Sequence, residues 1–430
     1  MLAACILALH CLLLLGQYFV DRRSFIIFNP KILFQVYLII QLPLVLLLAT
    51  SIELTGFNSL SPDTASERVL LIGSLSLAAQ VFFLVGYYLI GRWRIKVPFC
   101  KGKDWSRVRA NLISSIFFGF GYLAFFALLI MNGGYLEFIE NRETWRASGM
   151  SGQGLLLFPA TSMIAIGAVI LLITHRDFFA APGGLRWILV LLVITVLPAS
   201  QLGFRGLILA PAVQLLFVYH FCVKRLDFSK AIFPLAMLAV IFTAYGIYRE
   251  MSFVFHDDFS VEQILSFVST NPEISLSVLL RSKGADIVSV VIDGISKGAS
   301  HVYIYPSLIE AVSIIIPRSL WEDKVTPLSV QFSKDFFGLG GGVSPTIVGE
   351  AYWHAGVLGV AFILLAVGAA MRIYWNTLLA ERDNNAVLLL CSSIFPALFL
   401  IAESMQSQLN SISILITFVS LVIFALRIRV

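Results

Sequence analysis

Apolar residues run in long blocks along most of the chain, broken by short polar connections. A helix needs about 17–25 predominantly apolar residues to cross the hydrocarbon core of a bilayer. Blocks of that length predict eleven spans: 1–20, 32–51, 69–91, 111–131, 154–174, 185–202, 206–222, 231–249, 345–371, 386–402 and 408–426. Only Gly203, Phe204 and Arg205 separate the sixth and seventh, which leaves two crossings and a re-entrant hairpin both open. The pattern changes once, at residues 250–344, where no block is long enough to span. A connection of that length carries function or its own structure. Inside it Val261, Ile264, Leu265 and Val268 recur at helical spacing behind Ser260, a suitable N-cap, and Ile287, Val290, Val291 and Ile295 repeat the pattern. Asn271-Pro272 and Pro306 mark helix boundaries, and the run 301–316 is apolar but interrupted. These features predict amphipathic helices lying on the outer membrane surface; a short cap that holds the bundle together is the alternative. The expected fold is an all-α, polytopic membrane helix bundle: 1–249 with the first eight helices, 250–344 as a large extracytoplasmic region, and 345–430 with the last three.

Composition narrows the class. Of 430 residues, 59% are hydrophobic and 13% charged, with a mean hydropathy of +0.90. A soluble domain carries about 25% charged residues, so a water-soluble globule is excluded. Disorder is excluded by the same apolar excess. The net charge of +5 is small and set by topology, and no nucleic-acid partner is expected. Met1–Val20 has neither a basic start nor a small-residue cleavage site before Asp21, so it reads as a retained first helix rather than a signal peptide. The five cysteines form no C-x-x-C pair and no His/Cys cluster of zinc spacing; no metal or cofactor is expected.

Lysine and arginine orient the bundle, because short cytoplasmic loops are enriched in them. Nineteen of the 30 basic residues fall on one side, in loops such as Arg92–Arg109; of the eleven opposite, seven lie in or beside the long segment, which the rule discounts. The basic side is therefore cytoplasmic, with the N-terminus outside and the C-terminus inside. The outer side then receives the unusual residues. One loop, Asn132–Gln153, carries Arg142 and Arg146. A tight turn, Gln201-Leu-Gly-Phe-Arg-Gly206, places Arg205 near the boundary of the hydrocarbon, where an arginine is costly enough to suggest function; a snorkelling anchor is the alternative. The long segment holds Arg281, Arg318 and Trp321, with Arg249 just before it. Leu339-Gly-Gly-Gly leads into Ser344 and Pro345, read as N-cap and first residue of the ninth span. Free N–H groups there would suit a phosphate. Glu350 and His354, four residues apart, share a helix face; they serve as a carboxylate–imidazole general base or as a structural pair. Guanidinium groups bind phosphate oxygens bidentately, and aromatic rings such as Trp145 and Trp321 either belong to the interfacial belt or stack on sugars. Together these residues suggest an outer cavity for a phosphate-linked, hydroxyl-rich ligand.

Three stretches, taken in order, resemble the O-antigen polymerase family, the Wzy-type oligosaccharide repeat-unit polymerases of bacterial envelopes. They are Leu202-Gly-Phe-Arg205-Gly-Leu-Ile-Leu, Ile316-Pro-Arg318-Ser-Leu-Trp321-Glu-Asp-Lys324 and Gly342-Val-Ser-Pro-Thr-Ile-Val-Gly-Glu350. The resemblance covers roughly 200–360. It departs from the family after Trp321, where Glu-Asp-Lys-Val replaces a proline-rich Pro-x-Lys-Pro, so Lys324 is not carried over.

That resemblance implies a GT-C-like glycosyltransferase of the inner membrane, working at its periplasmic face. Its donor and acceptor are undecaprenyl-diphosphate-linked oligosaccharides, and its product is O-antigen or an exopolysaccharide. It needs no metal, cofactor or nucleotide sugar, and its partners are a flippase and a chain-length regulator. Arg205 and Arg318 match family arginines by motif; Arg249 and Arg281 match by position. Fixed cations would stabilise the departing diphosphate. Glu350 or His354 would take the proton of the attacking hydroxyl, with Ser344, Thr346 and Tyr352 beside them. An O-antigen ligase, with lipid A-core as acceptor, shares this donor. A lipid-linked oligosaccharide transporter or flippase is the other class, for which a repeat or broken, charged helices near the midplane are expected; the polar residues cluster instead at one face.

Overall fold

The computed structural model describes residues 2–20, 28–51, 65–96, 105–147, 154–202, 205–226, 261–270, 284–298, 309–310, 316, 321, 326–337, 343–402 and 404–427. Among them there are helices and no strands. Seven helices are long and apolar enough to cross a membrane: Pro30–Leu48, Ser66–Leu89, Arg107–Met131, Leu156–Thr174, Gly184–Gln201, Ile347–Ala380 and Met405–Arg427. Leu2–Gln17, Ile208–Val223 and Asn385–Leu398 are shorter apolar helices. The chain is an all-α, multi-pass membrane helix bundle. Ten of the eleven expected spans coincide with apolar helices, and the eighth, 231–249, lies outside the described residues.

The chain divides into two compact units. Unit 1 is Met1–Trp93, Asp227–Ile373 and Phe399–Leu409; unit 2 is Arg94–Leu226, Tyr374–Leu398 and Asn410–Val430.

Unit 1 opens with α1 (Leu2–Val20), α2 (Pro30–Ile39), a π-helical turn at Ile40–Leu44, α3 (Val45–Ser51) and α4 (Ala65–Leu89). The π turn contains Pro43, whose missing N–H is accommodated by the widened helix. α1 packs on α4, on the π turn and on α2 and α3. Helices α12 (Val261–Thr270), α13 (Gly284–Ser296) and α14 (Leu328–Phe337) follow. Next comes α15 (Ile347–Ala380), whose backbone leaves helical geometry at Ala355 and Gly356. It is thus a broken helix: a first segment up to His354, then the long remainder.

Two glycines set one crossing in unit 1. A Cβ at Gly86 of α4 would stand 2.0 Å from the carbonyl oxygen of Leu365, and one at Gly368 of α15 would stand 2.0 Å from that of Phe83. Each glycine lets the partner backbone in, as small residues do between membrane helices. We expect Gly86→Val or Gly368→Val to lose most of the monodisperse protein in size-exclusion chromatography. Gly119→Ala, which meets nothing within 4 Å, should leave the yield unchanged.

Unit 2 holds α5 (Arg107–Met131), α6 (Tyr135–Ala147), α7 (Gly154–Phe158), a π turn at Pro159–Met163, α8 (Ile164–Thr174), α9 (Arg176–Ala180), α10 (Gly184–Gln201) and α11 (Arg205–Val218). A third π turn, Tyr219–Val223, ends α11. α5 lies along α8, and α10 along α11. Most of α16 (Asn385–Leu400) and α17 (Met405–Arg427) also belongs here.

Candidate functional site

In unit 2 the connection after α5 and the end of α10 come together. α5 ends at Asn132, whose side-chain amide donates to the Leu128 carbonyl. Gly133 and Gly134 follow with φ of +83° and +97°, a reversal that only glycine makes cheaply. The chain then turns into α6, the helix that carries Arg142 and Arg146. Two aromatic residues, Phe138 (1% exposed) and Trp145 (7%), anchor it in a buried cluster with Phe125, Leu128, Leu129, Ala160 and Leu202. Their rings meet edge-to-face at 5.2 Å. Trp145 is therefore a core residue and not a sugar platform: its ring spends its large apolar area on the cluster.

Leu202, at the end of α10, is fully buried in the same cluster. The Tyr135 hydroxyl donates to Gln201 Oε1 at 3.0 Å. Unit 2 thus brings α6, which bears Arg142 and Arg146, to the end of α10, and α10 packs along α11, the helix that Arg205 opens. Arg205 is the first residue of α11. A cation there opposes the positive end of the helix dipole, so its charge does not serve the helix. The side chains of these three arginines lie outside the described residues, as do Arg249, Arg281 and Arg318 altogether.

Unit 1 holds the other sequence candidates, and here the geometry differs from expectation. The N-cap of α15 is Thr346, not Ser344: Thr346 Oγ1 accepts the Gly349 N–H at 3.2 Å. Thr346 has φ of +59°, an outlying value for a β-branched residue, and is 4% exposed. Pro345 therefore precedes the cap, and Ser344 is half-buried one residue further out. The N–H groups that would bind an anion are mostly taken. Ile347 N–H donates to the Ala402 carbonyl at 3.0 Å, and Glu350 N–H to the Thr346 carbonyl at 2.8 Å. A buried helix start fills its open donors from within the protein.

Glu350 is fully buried and its carboxylate is committed to another helix. Oε2 accepts from Ser404 Oγ at 3.1 Å and from Met405 N–H at 2.9 Å; Oε1 accepts from Gln406 N–H at 3.1 Å. These are the orphan donors at the start of α17, and a carboxylate at a helix N-terminus also suits its dipole. His354 Nε2 is 3.9 Å from Glu350 Oε1, an ion-pair distance if the ring is charged but too long for a hydrogen bond. The expected carboxylate-oriented imidazole is therefore not formed: the helix start outcompetes the ring for both oxygens.

Two further bonds brace the same junction. Gln406 Oε1 accepts the Leu328 N–H at 2.8 Å, and Ser333 Oγ accepts the Val343 N–H at 2.7 Å. Beneath it Val291, Leu328, Phe332 and Trp353 form a buried cluster, with Tyr352 partly buried against it. Trp321 is 38% exposed, so of the aromatic candidates it alone keeps an open ring.

The long segment also departs from the surface-helix expectation. α12 and α13 form as predicted, and α14 was not foreseen. But α13 packs on the π turn at Ile40–Leu44, on α3 and on α4. Gly284 at its start is so close to the Gln41 carbonyl that a Cβ would sit 2.5 Å from it, and Asp293 near its end pairs with Arg68 at 3.0 Å. Its apolar face, Ala285, Val288 and Val291, is fully buried. Protein, not a lipid surface, covers that face.

A polar cluster that sequence reasoning placed nowhere lies between α1, α2 and α4. His10, Gln17, Gln35, Ser76 and Gln80 are all buried and joined by hydrogen bonds. It corrects the expectation that polar residues gather at one face. The signal was present: each interrupts an apolar block, with His10 and Gln17 seven apart and Ser76 and Gln80 four apart. Window-averaged hydropathy hides such residues. No family model, curated protein or solved structure matches the chain.

Proposed function

We propose that the protein polymerises undecaprenyl-diphosphate-linked oligosaccharide repeat units at the periplasmic face of a bacterial inner membrane. On this reading all eleven spans cross, the N-terminus is periplasmic and the C-terminus cytoplasmic. The observation that carries it is the meeting of α6, the helix of Arg142 and Arg146, with the end of α10 in unit 2, just before Arg205 in sequence and on the side proposed to face outward. The ordered resemblance of residues 200–360 to O-antigen polymerases supplies the substrate class.

In this mechanism the diphosphate leaves from the anomeric carbon while a sugar hydroxyl of the second lipid-linked unit attacks it. Arg205 takes the developing negative charge, aided by the N-terminus of α11, which favours an anion for the same reason it disfavours an arginine. Arg142 and Arg146 bind phosphate or sugar hydroxyls, and Trp321 offers a stacking face. Two membrane-anchored reactants need mainly to be aligned. Glu350 of α15 holds the start of α17, which leaves His354 of α15 as the base candidate for the hydroxyl proton. Purified protein in vesicles with the lipid-linked repeat unit alone, in the presence of a chelator, should build a ladder of oligomers. A single unextended band would overturn the reading.

The break in α15 at Ala355–Gly356 and the polar cluster at His10 favour a second reading, transport of a lipid-linked oligosaccharide, since broken helices and interior polar groups mark transporters. The same vesicles separate the two: transport moves the unit across the bilayer without lengthening it.

A further inference from the structure

The cluster around His10 holds its hydrogens in an order that can be worked out. Backbone carbonyls only accept, and they orient the three glutamine amides. Gln80 Nε2 donates to the His10 carbonyl at 3.4 Å and to Gln35 Oε1 at 3.0 Å. Gln35 Nε2 donates to the Lys31 carbonyl at 3.1 Å and to Gln17 Oε1 at 3.0 Å. Gln17 Nε2 donates to the Leu13 carbonyl at 3.2 Å and to Gln35 Oε1 at 2.6 Å. Every amide nitrogen is thereby spent, and Gln80 turns its oxygen to His10 Nδ1. That ring nitrogen must carry a hydrogen.

The other ring nitrogen faces Ser76 Oγ at 2.9 Å, and Ser76 Oγ is also 3.0 Å from the Gly73 carbonyl. A hydroxyl has one hydrogen. If it points to Nε2, the ring is neutral. If it points to Gly73, Nε2 must donate instead, and the ring is an imidazolium with both N–H groups satisfied. Both states are fully hydrogen-bonded without movement of a heavy atom. A purely structural histidine needs only one of them.

We propose that His10 is a proton-binding site within the membrane-spanning part of unit 1, with Ser76 as the hydroxyl that reverses when the proton arrives. The helices packed on α1 present it with neutral groups: Ser76 and Gln80 from α4, and Gln35 from α2 through Gln80. Their charged side chains are Lys31 of α2, and Glu67 and Arg68 in the first turn of α4. Lys31 is turned to the Tyr88 hydroxyl at 3.1 Å, and Arg68 to Asp293. The π turn at Ile40–Leu44 and α3 carry no ionisable residue; the other titratable groups of α1 are Cys5, Cys11 and Tyr18. The proton is therefore held by oriented dipoles, and any step that moves α1 against α4 changes its affinity.

The test is ring-nitrogen magnetic resonance on the full-length protein in lipid bilayers, with 15N-histidine, from about pH 9 to about pH 5. His10 is identified by the signal pair lost in His10→Gln, or, if that variant does not assemble, by the pair that shifts in Ser76→Ala. The expected alkaline form is protonated on Nδ1 and bare on Nε2, passing at low pH to a form protonated on both. In Ser76→Ala the imidazolium loses an acceptor, and the midpoint should fall by about one pH unit, the worth of a hydrogen bond to a charged group. An alkaline form protonated on Nε2, a ring still neutral at about pH 5, or an unmoved midpoint in Ser76→Ala would overturn the proposal.

Discussion

Replacing Glu350 with alanine is expected to destabilise the protein by about 3 kcal/mol or more, before any question of activity arises. The variant strands the N–H groups of Met405 and Gln406 and the Ser404 hydroxyl, and each buried donor left without a partner costs about 1–3 kcal/mol. Glu350 is fully buried, so these donors have no bulk water to turn to. Glu350→Gln is the sharper variant. It keeps the shape but turns an NH₂ towards donors it cannot accept from, so it should also lower the melting temperature in detergent. Ser404→Ala removes one of the three donors but also the cap on the Ser407 N–H, and should cost about 1 kcal/mol, less than Glu350→Ala. A general base without this structural duty would behave otherwise: both Glu350 variants would melt like the parent protein and lose only activity.

The second large effect is expected at Arg205. Arg205→Ala should reduce polymer formation about 10²–10³-fold, the usual cost of removing one charge-stabilising group from a reacting centre. The variant should still insert and melt normally. A cation in the first turn of α11 is unfavourable to the helix, so its removal does not weaken the fold. Arg205→Lys should recover part of the loss, since lysine keeps the charge but not the planar fork. Glycan ladders from membranes carrying each variant at equal protein level measure this. Polymer of normal length and amount in Arg205→Ala would remove Arg205 from the mechanism.

The helices were legible because crossing a bilayer demands a long apolar block, and a block of that length has few other uses. The breaks within them were not. Pro43 and Pro159 sit in π turns, which tertiary packing decides, and Gly356 reads in sequence as an ordinary tolerated helix glycine although it has φ of +58°. The stretch Gly342–Glu350 stands out in sequence as a glycine run leading into a helix, but the job of its residues does not. Ser344 and Thr346 are both good caps, and only the position of Gly349 N–H chooses between them. Glu350 and His354 share a face, yet the carboxylate turns to Met405 and Gln406, more than fifty residues away in sequence. The gathering of α6 with the Leu202 turn depends in the same way on a cluster drawn from distant segments.

The central claim, polymerisation of lipid-linked repeat units, is tested most directly by the length of the surface and lipid-linked glycan in a strain lacking the protein. The account predicts that the ladder collapses to single repeat units on their normal acceptor, and that the intact protein restores it. Long polymer retained on the lipid carrier, with none attached to the acceptor, would contradict the account in favour of a ligase. Single units held on the cytoplasmic leaflet would contradict it in favour of transport.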